Sequence, residues 1–342
     1  MRVATYYNNQ DIRIEEVSVP KIGEGELLLK VRAAGICGSD VTEWYRTKKM
    51  GKVLGHEIAG EVVEVGQGVK QYKKGDRVAA SHHVPCYECH FCKLGHHTLC
   101  DTLRTTNFDP GGFAEWIRLP AINVRYGVYA LPEELTYEEG IFVEPLACTL
   151  RGQHKANVRP EQTVLVMGCG NAGLLHILVA KALGIKRIVA TDINERRLEI
   201  AKQLGADFVF QAAGDLEASL RKINEGRLAD VVIPCVGLKP VTEQALQLVE
   251  RGGTVLFFGL HNPEQILALP MYRVFWEQGL TLMNSYAASP EDHREAVKLM
   301  QEGKLSVKKL ISHRLPFAEI AKAFELVSKA KESLKVIIDP TR

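Results

Sequence analysis

The sequence lacks the features typical of membrane-spanning, nucleic-acid-binding and secreted disulfide-rich proteins. Its apolar runs, such as residues 174–185, are short and interrupted by polar residues, so none is expected to span a bilayer. The formal net charge is only +2 and no long basic run occurs, so nucleic acid and anionic membranes are not expected partners. The first residues contain no apolar core of a signal peptide. We therefore expect a cytoplasmic protein whose eight cysteines are thiols or metal ligands rather than disulfides.

The length of the chain predicts more than one domain. Its 342 residues exceed what a single hydrophobic core usually serves, so two domains are the expected arrangement. With 46% hydrophobic and 25% charged residues, the composition is that of an ordinary globular protein.

Four cysteines are concentrated in residues 84–100, with the spacing C-x2-C-x2-C-x7-C. They are Cys86, Cys89, Cys92 and Cys100. Four thiolates complete the tetrahedral shell of Zn²⁺ and leave no position for water or substrate. The run therefore predicts a structural zinc site, and the chemistry is expected elsewhere. An iron–sulfur cluster also takes four cysteines, but no other feature of the sequence suggests electron transfer.

Three other segments offer ligands for a second metal ion: Cys37, His56 and Glu144. One thiolate, one imidazole and one carboxylate would leave a fourth position open, as in catalytic zinc sites. Each residue also has a simpler interpretation. Cys37 follows an apolar strand and suits a core, and His56 suits a surface hydrogen bond. Glu144 precedes a proline, as at the beginning of a helix.

The sequences around these residues resemble the zinc-dependent medium-chain alcohol dehydrogenases. The run GHEIAGEVVEVGQGV at 55–69 is similar to the zinc signature of that family, and the four-cysteine run follows it as the structural zinc lobe does. ICGSD at 36–40 and VEPLAC at 143–148 resemble the sorbitol and threonine dehydrogenase branches, in which glutamate is a third zinc ligand.

The resemblance extends over essentially the whole chain and implies an α/β fold. It implies a Rossmann domain with a doubly wound parallel sheet and a mainly β, GroES-like catalytic domain. The expected ranges are 1–147 for the catalytic domain, 148–287 for the NAD-binding domain and 288–342 for the return to the catalytic domain.

The resemblance also implies roles for individual residues. Cys37 and His56 would be direct zinc ligands, and Glu144 would be a third ligand, directly or through water. Glu57 would be a neighbouring carboxylate that enters and leaves the shell, and Ser39 would hydrogen-bond the substrate oxygen. With the four-cysteine site, two zinc ions per chain are expected.

One position departs from the family pattern. The family often relays the alcohol proton to a histidine five residues after the first cysteine, where this chain has Thr42. A threonine does not titrate near neutral pH, so the route of the proton stays open. The next residue, Glu43, stands where sorbitol dehydrogenases tend to have a tyrosine. It would contact a polyol hydroxyl, accept the proton or point to solvent.

A glycine-rich turn predicts a dinucleotide site. The apolar run at 163–167 reads as a buried parallel strand and leads into GCGNAG at 168–173, the G-x-G-x-x-G fingerprint before a helix. The second strand ends in Asp192, whose carboxylate suits ribose hydroxyls and would repel a 2′-phosphate. Arg196 and Arg197 follow and are able to accommodate such a phosphate, although the family commonly has one arginine beside the adenine. NAD is therefore favoured over NADP.

Two further strand ends are expected at the cofactor, because ligands bind at the carboxyl ends of parallel strands. The predicted cofactor residues are Gly168, Gly170, Asn171, Ala172, Gly173, Asp192, Arg197, Cys235, Gly237 and Gly259.

The function predicted from these motifs is reversible oxidation of a secondary alcohol, in a polyol or sugar alcohol, to its ketone by hydride transfer to NAD. An L-threonine or 2,3-butanediol dehydrogenase is the alternative within the family. A zinc- and dinucleotide-binding protein without catalysis is the alternative outside it. By resemblance, the chain is expected to form a homodimer or homotetramer.

Overall fold

The computed structural model describes the whole chain except the side chain of Thr47. The chain forms two compact units, one comprising Met1–Ala147 with Ala287–Arg342 and the other comprising Cys148–Tyr286. The first unit is therefore built from two separate stretches of sequence.

In the part of the chain that the structure describes, the secondary structure consists of sixteen strands and of α-helices that are mostly short. The strands are β1 (Arg2–Asn8), β2 (Asp11–Glu16), β3 (Leu27–Ile36), β4 (Lys52–Val53), β5 (Glu57–Val65), β6 (Arg77–Ala80), β7 (Trp116–Leu119), β8 (Val128–Ala130), β9 (Thr163–Met167), β10 (Arg187–Asp192), β11 (Phe208–Gln211), β12 (Ala229–Pro234), β13 (Val249–Phe257), β14 (Thr281–Asn284), β15 (Ile311–Pro316) and β16 (Lys335–Asp339). The α-helices are α1 (Glu43–Arg46), α2 (His90–Lys93), α3 (Asp101–Thr105), α4 (Ala121–Tyr126), α5 (Tyr137–Gly140), α6 (Val143–Lys155), α7 (Asn171–Ala182), α8 (Glu195–Leu204), α9 (Leu216–Ile223), α10 (Lys239–Leu248), α11 (Pro290–Gln301) and α12 (Ile320–Lys329). Across the described residues, every helix is too short or too polar to traverse a lipid bilayer.

The unit that contains the N-terminus is mainly β. Its larger sheet has the order β15-β16-β3-β5-β6-β8, with β7 also paired to β3, and a smaller sheet has the order β2-β1-β4. Strands β3 and β5 are antiparallel and pair Gly35 with Glu57. This register brings the residue after β3 and the residue before β5 to the same end of the sheet, which positions the candidate metal ligands. Apolar residues such as Leu29, Ile58 and Ile117 fill the core of this unit.

The second unit is a parallel sheet with helices along its connections. The strand order is β11-β10-β9-β12-β13-β14 and every pairing is parallel. Numbered within the unit, this is the order 3-2-1-4-5-6 of doubly wound dinucleotide-binding sheets. Strand β9 is buried along its whole length, as expected of a parallel strand covered on both faces. The predicted fold class is confirmed.

Candidate metal centres and dinucleotide site

The first candidate metal centre is at the end of the sheet where β3 stops and β5 begins. Cys37 follows β3, His56 precedes β5, and Glu57 is the first residue of β5. One ligand atom from each of these three residues lies within 4.8 Å of those of the other two. His56 and Glu57 are buried, and Cys37 is half-buried. A thiolate, an imidazole and a carboxylate so close together form a donor set suited to Zn²⁺.

A buried aspartate orients the histidine of this centre. Asp40 accepts a hydrogen bond from the Cys37 backbone N–H at 3.1 Å, and its Oδ1 lies 3.3 Å from His56 Nδ1. The Nδ1 atom is thereby occupied, which leaves Nε2 for a metal ion. Burial opposes the charge on Asp40, but His56 and Arg46 together lower the pKa of its carboxyl group below the usual value.

The two carboxylate oxygens of Glu57 differ, because one forms an ion pair and the other has no hydrogen-bond partner among the described residues. Its Oε2 forms an ion pair with Lys335, and both side chains are almost completely buried. Its Oε1 is also buried and has no hydrogen-bond partner among the described residues. An unpaired buried acceptor costs about 1–3 kcal/mol, and more when the group is charged. This atom is the feature of the fold that best fits a cation bound beside Cys37 and His56.

Glu144 lies near this centre but outside the closest donor set. It is half-buried in the first turn of α6. Burial opposes the charge of Lys335, but Glu57 chiefly, with a smaller contribution from Glu144, raises the pKa of that lysine. Within the described chain, the group of ligand atoms that converge within 4.8 Å contains Glu57 and does not include Glu144. Ligation by Glu144 stays a prediction.

The residues after Cys37 make contacts that their sequence did not reveal. Ser39 Oγ accepts a hydrogen bond from Arg46 Nη2 at 2.9 Å. The Thr42 hydroxyl donates to the Gly38 carbonyl at 2.9 Å. The Glu43 carboxylate accepts from the backbone N–H of Asn9 at 3.1 Å, and so holds the turn between β1 and β2.

Two histidines missed by sequence reasoning adjoin the centre. The ring of His82 lies 5.0 Å from that of His56 and stacks on His83 at 3.6 Å between ring centroids. Burial, reinforced by His56 and nearby cations, lowers the pKa of His83 to about 3, so its ring is neutral near pH 7. The signal for them in the sequence is their position just before the four-cysteine run, which itself follows the metal signature.

The four cysteines form a separate donor set. The sulfur atoms of Cys86, Cys89, Cys92 and Cys100 all lie within 4.8 Å of one another. Backbone N–H groups of Glu88 and Cys89 donate to Cys86 Sγ at 3.4 and 3.3 Å. Although burial raises it, hydrogen bonds from the backbone bring the pKa of Cys100 down to about 6. Such bonds favour thiolates, the form that binds zinc, and a four-thiolate set fits one structural ion.

The dinucleotide fingerprint makes the expected strand–turn–helix. Gly168 begins the turn directly after β9 with φ of +94°, and α7 begins at Asn171. A Cβ atom on Gly173 would lie 1.8 Å from the Gly168 carbonyl oxygen, so no other residue allows this close packing. A Cβ on Gly170 would meet nothing within 4 Å, which marks the open side of the turn. Asn171 Oδ1 is buried there without a partner in the described chain. These features fit a pyrophosphate at the helix N-terminus.

Asp192 is held at the end of β10 by backbone groups. Its Oδ2 accepts from the Cys169 N–H at 2.6 Å, and its Oδ1 accepts from the Asn194 N–H at 2.8 Å. Each oxygen keeps capacity for another donor, such as a ribose hydroxyl. Arg196 is exposed and Arg197 is half-buried in the first turn of α8.

The remaining strand ends pack on one another. The Cys235 N–H donates to the Met167 carbonyl at 2.9 Å. A Cβ on Gly237 would lie 1.9 Å from the Leu260 carbonyl oxygen, and one on Gly259 would lie 2.6 Å from the Gly237 nitrogen. These glycines are therefore required for packing between the two loops, whether or not a cofactor also approaches them.

Comparison with known proteins covers both units. Residues 23–132 match the alcohol dehydrogenase GroES-like domain, and residues 172–302 match the zinc-binding dehydrogenase family.

Several curated relatives align over nearly the full chain. L-galactonate-5-dehydrogenase of Escherichia coli (strain K12) is 32% identical, over 99% of this chain and 98% of its own. Sorbitol dehydrogenase of Bacillus subtilis (strain 168) is 31% identical, over 100% and 98%. L-threonine 3-dehydrogenase of Bacillus licheniformis is 34% identical, over 95% and 94%. Among solved structures, a Sinorhizobium meliloti 1021 protein described as a zinc-binding dehydrogenase and bound to NADP superposes with a TM-score of 0.88. It is 28% identical, and 99% of each chain is covered.

Proposed function

Because the chain belongs to the zinc-dependent medium-chain alcohol dehydrogenase family, we propose that it interconverts a secondary alcohol and its ketone by hydride transfer, with polyols or sugar alcohols as substrates. The observation that carries the proposal is the convergence of Cys37, His56 and Glu57, with a buried Glu57 oxygen left unpaired. The polyol class is supported by the similarity to sorbitol dehydrogenase, whose named substrate is a sugar alcohol. The similarity to L-galactonate-5-dehydrogenase supports a substrate that carries several hydroxyl groups.

The residues at and around the metal centre have different proposed roles in the reaction. When bound, Zn²⁺ would supply a Lewis acid that makes an alcohol hydroxyl more acidic. Cys37 and His56 would hold it, with Glu57 or Glu144 completing the protein ligands. Asp40 fixes the imidazole through Nδ1. Ser39 would hydrogen-bond the substrate oxygen. A second zinc ion, held by the four cysteines, would stabilise the fold of that loop.

For the cofactor we favour NAD over NADP. When bound, the nicotinamide would accept the hydride. Asp192 stands rigidly at the end of β10, where its charge would attract ribose hydroxyls and repel a 2′-phosphate. The comparison of NAD and NADP at equal concentrations tests this. Asp192→Ser should lower the ratio of activity with NAD to activity with NADP. A parent enzyme that is more active with NADP would contradict the assignment of NAD.

A homo-oligomer is the proposed assembly, in the cytoplasm. Strand β14 is at the edge of the parallel sheet, and an exposed apolar group follows β13. Its members are Ile266, Met271, Tyr272 and Trp276, each at least 65% exposed. Unpaired strand edges and exposed large apolar side chains are features of surfaces that a second copy covers. Sedimentation of the parent and of Trp276→Glu tests this: the parent should be a dimer or larger, and the variant should dissociate more readily.

The decisive experiment combines metal analysis with a substrate panel. NAD reduction is measured with polyols, sugar alcohols, sugar acids, 2,3-butanediol and L-threonine, and zinc is quantified per chain. We expect two zinc ions per chain and the highest activity on a polyol or sugar alcohol. Cys37→Ala and His56→Ala should lose one zinc and nearly all activity, whereas the exposed His96→Ala serves as the matched control. Parent-level activity in either ligand variant would refute the mechanism.

A threonine-type enzyme is the second candidate, favoured by the similarity to L-threonine 3-dehydrogenase over 95% of the chain. The same panel separates the two. Turnover of L-threonine well above that of every polyol would replace the first proposal with the second, and the metal centre would keep its assigned role.

A further inference from the structure

Arg46 connects two residues beside the candidate zinc centre. Its Nε donates to the Ser39 carbonyl at 2.8 Å, and its Nη2 donates to Ser39 Oγ at 2.9 Å and to Asp40 Oδ1 at 3.0 Å. The Arg46 side chain is only 14% exposed, and its guanidinium carbon lies 4.9 Å from the centroid of the Tyr45 ring. Its geometry is therefore fixed by several partners, unlike that of a surface arginine.

The hydrogen bond from Arg46 to Ser39 Oγ determines which way the Ser39 hydroxyl group can donate its own hydrogen. A serine hydroxyl has one hydrogen to donate and two lone pairs, whereas a guanidinium only donates. Because Arg46 occupies a lone pair of Ser39 Oγ, the serine hydrogen is left for a different acceptor. In an alcohol dehydrogenase, the oxygen of the substrate is such an acceptor. A fixed positive charge beside the hydroxyl also makes it a stronger donor.

The bond to Asp40 supports the histidine ligand. The Asp40 side chain is completely buried, and its carboxylate contacts His56 Nδ1 at 3.3 Å. A buried carboxylate needs compensating charge and hydrogen bonds. Arg46 supplies both and so keeps Asp40, and through it the His56 ring, in one orientation.

We propose that Arg46 is a positioning residue for the reaction, which aims the Ser39 hydroxyl at the substrate oxygen and holds the Asp40–His56 pair for metal binding. The inference rests on the proposed function, since it assumes an alcohol substrate and a zinc ion. The proposal has two parts, called its two arms, which can be tested separately. In the first, Arg46 acts through Ser39 on turnover, and in the second it acts through Asp40 on the affinity for the metal ion.

The test compares Arg46→Gln, Ser39→Ala and the double variant. Activity is measured at saturating zinc, and the affinity of the more labile zinc is measured by chelator competition, with Cys37→Ala identifying that ion. Arg46→Gln should lower kcat by roughly 10–100-fold and change KM by less than that. It should weaken zinc binding by a factor similar to the loss in kcat. Ser39→Ala should lower kcat but leave zinc affinity unchanged. Arg46→Gln should cost clearly less turnover in the Ser39→Ala background than in the parent, because the hydroxyl that it orients is already absent.

Several outcomes would overturn the proposal. Arg46→Gln with kcat, KM and zinc affinity all within about twofold of the parent would do so, as would full additivity of the two substitutions in turnover. Arg46→Lys keeps the positive charge but loses the planar guanidinium that bonds two partners. Its kcat and zinc affinity should lie between those of the parent and of Arg46→Gln, and it replaces Arg46→Gln in the test if that variant does not fold. Parent-like behaviour of Arg46→Lys in both assays would also overturn it. Arg13→Gln, at an exposed arginine paired with Asp11, is the matched control.

Failure of the proposed function has a different signature. If the parent oxidises no alcohol in the panel, the assigned reaction is wrong, yet zinc competition still tests the arm through Asp40. Unchanged zinc affinity in Arg46→Gln would then overturn the inference, and weakened affinity would support that arm independently of turnover.

Discussion

Replacement of Lys335 by methionine removes the positive charge that faces Glu57 while keeping an unbranched apolar side chain of similar length. The Lys335 side chain is 1% exposed and the Glu57 side chain 0%, so the variant leaves a carboxylate buried without its partner. Breaking a buried ion pair from one side costs about 3–5 kcal/mol. For a unit of this size, the unfolding midpoint should fall by roughly 6–20 °C.

The double variant Lys335→Met/Glu57→Gln separates this explanation from simple loss of packing. Replacing both members removes the uncompensated charge, so much of the lost stability should return. Lys329→Met is the matched control, because that lysine pairs with Glu325 on the surface and both are more than half exposed. Its midpoint should stay within about 2 °C of the parent, as for most surface substitutions.

The assay is thermal unfolding of the zinc-loaded protein, followed by circular dichroism at one scan rate. Bound zinc should lessen the loss in Lys335→Met, because a cation beside Glu57 replaces part of the missing charge, and chelation should enlarge it. The reasoning is refuted if Lys335→Met unfolds within 2 °C of the parent, or if the double variant is no more stable than Lys335→Met.

Three further predictions follow from the geometry. Gly173→Ala should abolish dinucleotide binding or prevent folding of the second unit, because its Cβ would lie 1.8 Å from the Gly168 carbonyl oxygen; fluorescence titration with NADH measures this. Cys89→Ser should remove one zinc ion and lower the unfolding midpoint while the other zinc stays bound, and unchanged metal content would contradict the four-cysteine assignment. Burial lowers the pKa of His293 from 6.5 to about 4, so its neutral form contributes stability that is present above pH 6.5 and lost as the pH falls toward 4. Unfolding free energy measured against pH should decline over that window by about 3 kcal/mol more in the parent than in His293→Phe, and equal slopes would refute this.

The sequence was most informative where a local spacing carries the chemistry. Four cysteines within residues 84–100 predict a closed metal site because the short loops between them can wrap one ion. The structure brings all four sulfurs together. The glycine fingerprint predicts a strand, a tight turn and a helix, and β9, Gly168 and α7 form that arrangement.

Sequence reasoning was weaker for the side chains that support these sites. The sequence leaves three alternatives for the role of Glu43. In the structure its carboxylate accepts a hydrogen bond from the backbone N–H of Asn9, a residue of the β1–β2 turn. Asp40 lies within the ICGSD segment, but its contacts with His56 and Arg46 depend on how three separate segments meet. A motif names the residues that are present and does not show which of them touch.

The sequence by itself determined the kinds of donor and the family, because these depend on residue types at short spacings. The tertiary structure decided how buried charge is compensated. Glu57 and Lys335 are 278 positions apart in the chain, and only the pairing of β16 with β3 and of β3 with β5 brings them together. Charge compensation in a core depends on distance through space, and so only the folded chain shows that Lys335 balances Glu57 and Arg46 balances Asp40.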